Sequence, residues 1–219
     1  VNLDNSGTIS TDGNFGVYCL ECVDLTLTNS GTISAVSQIG VSARQATGTN
    51  TIKNSGTISA ESSKGVDIRR AANLTLDNSG TISANGNAVL AMNAFAPTII
   101  NSGTITSTAG AATKSGIDLS QNTDGDLGSG ATITNSGTIE GLGTNADGIR
   151  IGNGTGVYND VTITNSGTIS GDDNSIWIDG PSGGSGTTGT NIITKGDATY
   201  TGEIDMESAA VTMTLDCSI

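Results

Sequence analysis

Apolar residues in this chain stand singly at every second position, in short runs separated by Thr, Ser, Asp and Gly. The same run of polar and apolar positions then returns along the chain. One apolar column is Leu3, Leu27, Ile52, Leu76, Ile99, Ile133 and Ile163. Two residues after each begins the pentapeptide Asn-Ser-Gly-Thr-Ile, starting at Asn5, Asn29, Asn54, Asn78, Asn101, Asn135 and Asn165. Its terminal residues make a second column: Ile9, Ile33, Ile58, Ile82, Ile105, Ile139 and Ile169. A third element follows, with two apolar residues flanking a variable one: Val17/Cys19, Val41/Ala43, Val66/Ile68, Val89/Ala91, Ile117/Leu119, Ile149/Ile151 and Ile176/Ile178.

A period of two within each run predicts strands with one buried face. The recurrence of the whole unit predicts a solenoid. The first five motifs are 23 to 25 residues apart and the last two gaps are 34 and 30. Three strands per unit, each too short for a hairpin sheet, fit a three-sided coil whose strands pair in parallel with their equivalents one coil on. The expected fold is all-β, a right-handed parallel β-helix with three short strands per coil of about 24 residues. Leucine-rich horseshoes share the period but need regularly spaced Leu and a helical segment. The Ser-Gly step is read as a corner where Gly tolerates positive φ. The seven motif Asn residues are read as a corner ladder of side-chain amides bonded to one another and to backbone.

The whole chain, 1–219, is expected to be one β-helix segment belonging to a longer chain. Residues 1–119 form regular coils, 120–190 coils with expanded corner loops, and 191–219 degenerate coils. Neither end shows a polar cap, so the segment either continues or stacks end to end with other copies.

Composition narrows the function. The formal charge is −13, with 8 Lys+Arg against 21 Asp+Glu. Nucleic acid is therefore an unsuitable partner, since its binding depends on cationic neutralisation of phosphates. His is absent, which removes imidazole acid–base chemistry and His metal sites. No apolar run reaches 18 residues, so no membrane span or signal peptide is expected in this segment. Aromatic content is 3%, in keeping with a narrow coil interior. Cys19 falls on an inward column and reads as a buried thiol filling space. Cys22 could reach it only through a tight loop, and Cys217 lies far along the axis.

The repeated Asn-Ser-Gly-Thr-Ile-Ser, preceded by Leu-Thr-Leu-Thr or Val-Thr-Ile-Thr and followed by a Gly-Val/Ile pair, resembles the passenger domains of bacterial autotransporter adhesins. The closing stretch from Thr201 through Leu215 looks like the degenerate coils that follow such repeats. This resemblance implies export across the Gram-negative outer membrane, surface display or release, and a C-terminal β-barrel outside this segment. The implied role is a secreted structural or adhesive stem without catalysis or cofactor. Its partners would be a host or bacterial surface protein or glycan, or further copies of itself. A self-assembling extracellular filament or coat is the alternative.

Other chemistries are weaker. Asn122-Thr123-Asp124-Gly125 and Gly171-Asp172-Asp173 resemble two motifs of pectin-hydrolysing glycosidases, whose mechanism needs paired carboxylates. The Gly-His-Gly companion cannot exist here, and both segments sit where turn residues are expected anyway. Asn122 to Asp126 could ligate calcium through oxygen ligands but lacks the full loop spacing, so a solvated loop is preferred and no metal site is assigned. Asn73-Leu74-Thr75 and Asn153-Gly154-Thr155 match the glycosylation acceptor pattern. Outward rows such as Thr8/Ser10, Thr32/Ser34 and Thr57/Ser59 suggest ice binding, but Thr–Thr pairing explains them and Glu140 interrupts the row.

The expanded corners of the fifth to seventh coils predict one stacked patch, the position where solenoids commonly bind. The middle residues of the third strands, Tyr18, Ser42, Asp67, Leu90, Asp118, Arg150 and Trp177, are expected to project outward in one column. Candidate binding residues are Arg150, Trp177, Asp124 and Asp126. An exposed Trp with an Arg is a common anchor; alternatively the guanidinium covers the indole.

Overall fold

The computed structural model describes residues 1–108, 114–119, 129–152, 158–179, 189–207 and 209–216. It is an all-β parallel solenoid with three strands per coil, and no described residue is helical. The first face is a nine-stranded parallel sheet running from Asn2–Asn5 through Thr26–Asn29 and Asn50–Asn54 to Thr190–Lys195 and Val211–Asp216. Equivalent residues face one another at every step, as in Leu3 opposite Leu27 and Asn5 opposite Asn29. The second face stacks Thr8–Thr11, Thr32–Ala35, Thr57–Ala60 and their successors, with Ile9, Ile33 and Ile58 in register. The third runs from Val17–Leu20 through Val41–Arg44 to Ile149–Ile151. In the seventh coil these two faces merge into one bulged strand, Thr168–Ile178, which pairs with both columns and with Thr199–Met206.

The three apolar columns form one continuous core. Ile33, Ile58, Ile82, Ile105, Ile139 and Ile169 are completely buried, and Ile9 in the first coil partly so. An extra ring breaks the aliphatic column at one place. Tyr158 is fully buried, and its hydroxyl donates to the Ala94 carbonyl 64 residues earlier. Burial pushes its hydroxyl well above the usual phenol range.

The corner Asn residues form the expected ladder. Each Nδ2 donates to Oδ1 of the next, at 2.7 Å from Asn5 to Asn29 and 2.8 Å from Asn54 to Asn78. Each also donates to the carbonyl two residues on and to the motif Thr carbonyl of the next coil. A buried amide satisfied on its own column in this way removes the penalty of placing it in the core. The ladder stops at Asn165, which faces Thr194, and its Nδ2 has no hydrogen-bond partner among the described residues.

Two expectations need correction. The motif glycines do not have positive φ. They are required because the coils approach too closely for a side chain: a Cβ on Gly31, Gly56, Gly80, Gly103, Gly137 or Gly167 would strike the backbone of the preceding coil's Ser-Gly step. Left-handed backbone falls instead on non-glycine corner residues, in one row Glu21, Gln45, Arg70 and Asn93, with φ between 53° and 54°. The second correction concerns the cysteines. Cys19 is not a free thiol; it is disulfide-bonded to Cys22, with Cα atoms 5.8 Å apart, across the tight corner at Glu21. The left-handed residue supplies the tight turn that a bridge across three residues requires. Cys217 lies outside the described residues.

Candidate binding surface on the third face

The middle residues of the third strands do stack in one column, from Tyr18 opposite Ser42 and Ser42 opposite Asp67 to Asp118 opposite Arg150 and Arg150 opposite Trp177. Most of that column is not exposed, contrary to expectation. Tyr18 is open to solvent, but Ser42, Asp67, Leu90 and Asp118 are buried. They point away from the aliphatic core and are then covered by longer neighbours. Arg44 and Arg69 close over Asp67, and Asn87 donates to Asp118 at 2.7 Å.

Arg150 and Trp177 meet as expected. The guanidinium carbon lies 4.4 Å from the centre of the Trp177 ring system, both side chains are half-buried, and the geometry is that of a cation–π contact. Arg150 therefore covers part of the indole. Its Nε is buried and makes no hydrogen bond among the described residues. The expanded corners expected to complete this site, with Asp124 and Asp126, lie outside the described residues. So do Asn122, Gly180 to Gly186, and the Asn153-Gly154-Thr155 acceptor.

The described residues that join the pair come from the preceding corner. A pocket of about 180 Å³ is lined by Asn145, Asp147, Arg150, Asp173, Asn174 and Trp177. It is built where Gly141 stacks on Gly171 and the chain turns into the third strand. A Cβ on either glycine would collide with backbone, at Asp147 and Asn174 respectively. The turn is held by Gly148 N donating to Asn174 O at 2.9 Å and Asp173 N to Ala146 O at 3.0 Å. Asp172 is a turn residue, accepting from Gly143 N at 2.7 Å.

Asp147 is buried, and loss of solvent raises its carboxyl above the usual range. The Asn174 amide, donating at 3.0 Å, and the Arg150 charge pull the other way. A raised carboxyl beside a second acid superficially resembles a hydrolytic pair. Here, however, one oxygen of Asp147 is committed to a side-chain amide. The pocket presents an aromatic face, a guanidinium, amides and carboxylates, which suits polar, ring-containing ligands. Asp147 and Asn174 are missing from the sequence-based candidates because Ala-Asp-Gly and Asp-Asp-Asn read as ordinary turns. Among the described residues, no group of three His, Cys, Asp or Glu is placed to hold a metal ion.

No family model, curated protein or solved structure matches the chain.

Proposed function

We propose that the protein is a secreted, non-catalytic stem of the autotransporter-passenger type, displayed at a bacterial surface, where it adheres to surface molecules or to other copies of itself. The observation that carries this reading is the use made of each repeat. Motif after motif, the buried polar residue bonds to its own equivalent one coil on, from Asn5 to Asn165. Such a column builds length and rigidity, and it leaves the chemistry to the variable third face. The Cys19–Cys22 disulfide supports an oxidising compartment outside the cytoplasm.

Displaying the chain on a non-adherent Gram-negative strain and counting cells retained on epithelial and bacterial layers tests the role. Retention is expected to rise with display and to fall when soluble protein competes. A parallel incubation with acidic polysaccharides, assayed for new reducing ends, tests the absence of catalysis. Turnover abolished by Asp147→Asn or Asp173→Asn would replace the stem with a glycosidase. Electron microscopy of the isolated protein separates rods from filaments, and ordered polymers at micromolar concentration would favour a coat.

A further inference from the structure

Charge is distributed unevenly along the solenoid axis. Residues 1–119 hold six of the eight basic residues and eight of the twenty-one acids, a net charge of −2. The remaining hundred residues carry −11. Within the first half, three of the four arginines in the chain line one groove of about 290 Å³ on the third face. Stacking explains how they come together. Leu20 pairs with Arg44, and the bonds from Gln45 N to Arg69 O and from Arg70 N to Met92 O carry the register past the strand ends. Arg44 and Arg69 thus occupy equivalent positions on successive coils, with Arg70 beside them.

Like charges at this spacing repel, so something must hold them. Asp67 does so. It is fully buried, and its Oδ2 accepts from Arg44 Nη2 at 2.8 Å and Nε at 3.1 Å. Its Oδ1 accepts from Arg69 Nε at 3.0 Å. One carboxylate fixes two guanidinium groups and neutralises only one. Each guanidinium has five N–H donors, so each has donors beyond those spent on Asp67. Both side chains stay partly open to solvent, at 26% and 32%. Burial, and then the charges of Arg69, Lys114 and Arg44, lower the Lys64 ammonium below the usual range against the opposing pull of Asp67. Exposed Tyr18 also lines the groove; behind it Phe15 stacks on its ring at 4.5 Å, with Arg44 5.7 Å from the Phe15 ring.

We infer that this groove is a binding site for an acidic oligosaccharide, with Arg44, Arg69 and Arg70 taking the carboxylate or sulfate groups and Tyr18 stacking on a sugar ring. This assigns a ligand class to the proposed stem, at a site separate from the Arg150–Trp177 pocket. Guanidinium forks match planar anions in bidentate fashion, and pre-fixed arginines lose less freedom on binding. The rung spacing selects the saccharide over an acidic peptide. Anion donors recur at about 4.8 Å along the axis, whereas same-face side chains of an extended peptide recur at about 6.7 Å. A pyranose repeat is close to one rung. The mostly acidic remainder of the protein repels polyanions and would confine them to this end.

The test is titration calorimetry at low ionic strength with oligogalacturonate hexamer, heparin hexasaccharide, neutral maltohexaose and hexaglutamate. Either acidic saccharide is expected to bind and maltohexaose not; the tighter of the two acids identifies the anion. Arg70→Ala and Tyr18→Ala, which leave the Arg44–Asp67–Arg69 contacts in place, should each weaken binding about tenfold. Lys53→Ala, on the first face, removes the same charge and should leave affinity within twofold. Thermal unfolding of each variant confirms that it folds. Equal weakening by Lys53→Ala would reduce the effect to net charge and overturn the site. So would hexaglutamate binding as tightly as the saccharides, or no acidic saccharide binding above maltohexaose. Self-association of the wild type that Arg70→Ala dissolves would assign the groove to the acidic half of a second copy instead. Failure of the adhesion experiment above would leave the calorimetry unaffected, so the two readings fail separately.

Discussion

The Asn corner and the third face bury polar side chains by opposite devices. At the corner every coil contributes the same residue, and each amide is satisfied by its own copy above or below. On the third face the column reads Tyr, Ser, Asp, Leu, Asp, Arg, Trp, and partners come sideways from non-equivalent positions. Asp67 takes Arg44 from the coil before and Arg69 from its own, while Asp118 takes Asn87. A column of one residue type can be extended without limit but offers every coil the same surface. A column of different residues makes local, individual sites, and each needs its own support. Uniformity and variety are thereby divided between faces of one solenoid, and in the proposed stem the varied face is the one that would bind.

The sharpest test of this division is to strip the support from a third-face charge. Arg44→Ala with Arg69→Ala leaves the fully buried Asp67 carboxylate without these two partners and should cost about 3–5 kcal/mol. Asp67→Ala should cost clearly less, because both arginines already reach solvent. Urea unfolding of the two variants compares them, and equal losses would mean that Asp67 is not the dependent partner. Ile82→Ala, in the middle of the repeated core column, should cost about 2–5 kcal/mol. A small effect there would place the inward face one residue out of register.

The corner ladder should respond differently. Asn78→Ala removes the Oδ1 acceptor of Asn54 and the Nδ2 donor to Asn101, at a cost of about 2–3 kcal/mol. Pairing Asn78→Ala with Asn101→Ala should cost less than the sum, since neighbours in one network are coupled. Strict additivity would show that each Asn is held by backbone alone.

The smallest effects concern the Arg150–Trp177 pocket. Asp147 has a raised native pKa, so the folded protein holds its proton to higher pH than the unfolded chain. Its contribution to stability is full below the unfolded carboxylate pKa of about 3.9 and is lost as pH rises through the raised native value. Asp147→Asn should flatten that part of the stability profile, as measured by thermal unfolding between pH 3 and pH 7. Trp177→Ala should lower stability by only about 0.5–1 kcal/mol through the lost cation–π contact, while reducing adhesion if the pocket binds. Ile100→Ala, an exposed position on the first face, is the comparator. Equal adhesion of the two variants would leave the pocket without a binding role.

How much was legible follows the same division. The three apolar columns, their register, the Asn ladder and the Arg150–Trp177 neighbourhood could all be read from spacing. In a parallel solenoid the partner of a residue is its equivalent one period on, so periodicity is itself a contact map. Nothing in the spacing showed that Asp67 would be buried between two arginines, or that Asp147 and Asn174 would close on Trp177. Those contacts join non-equivalent positions, and they depend on the path of each corner. The disulfide belongs with them, because it depends on left-handed backbone at Glu21, a conformation that glutamate seldom adopts. The motif glycine reads from sequence as a corner tolerating positive φ, which it does not adopt; its cause is the carbonyl of the preceding coil stacked against it, visible only when two coils are in place. The sequence alone therefore determined the solenoid, since identical units stacked by translation leave little choice of partner. Only the tertiary structure decided which third-face side chains are covered and which stay open to solvent, because that depends on lateral packing between residues that the repeat does not relate.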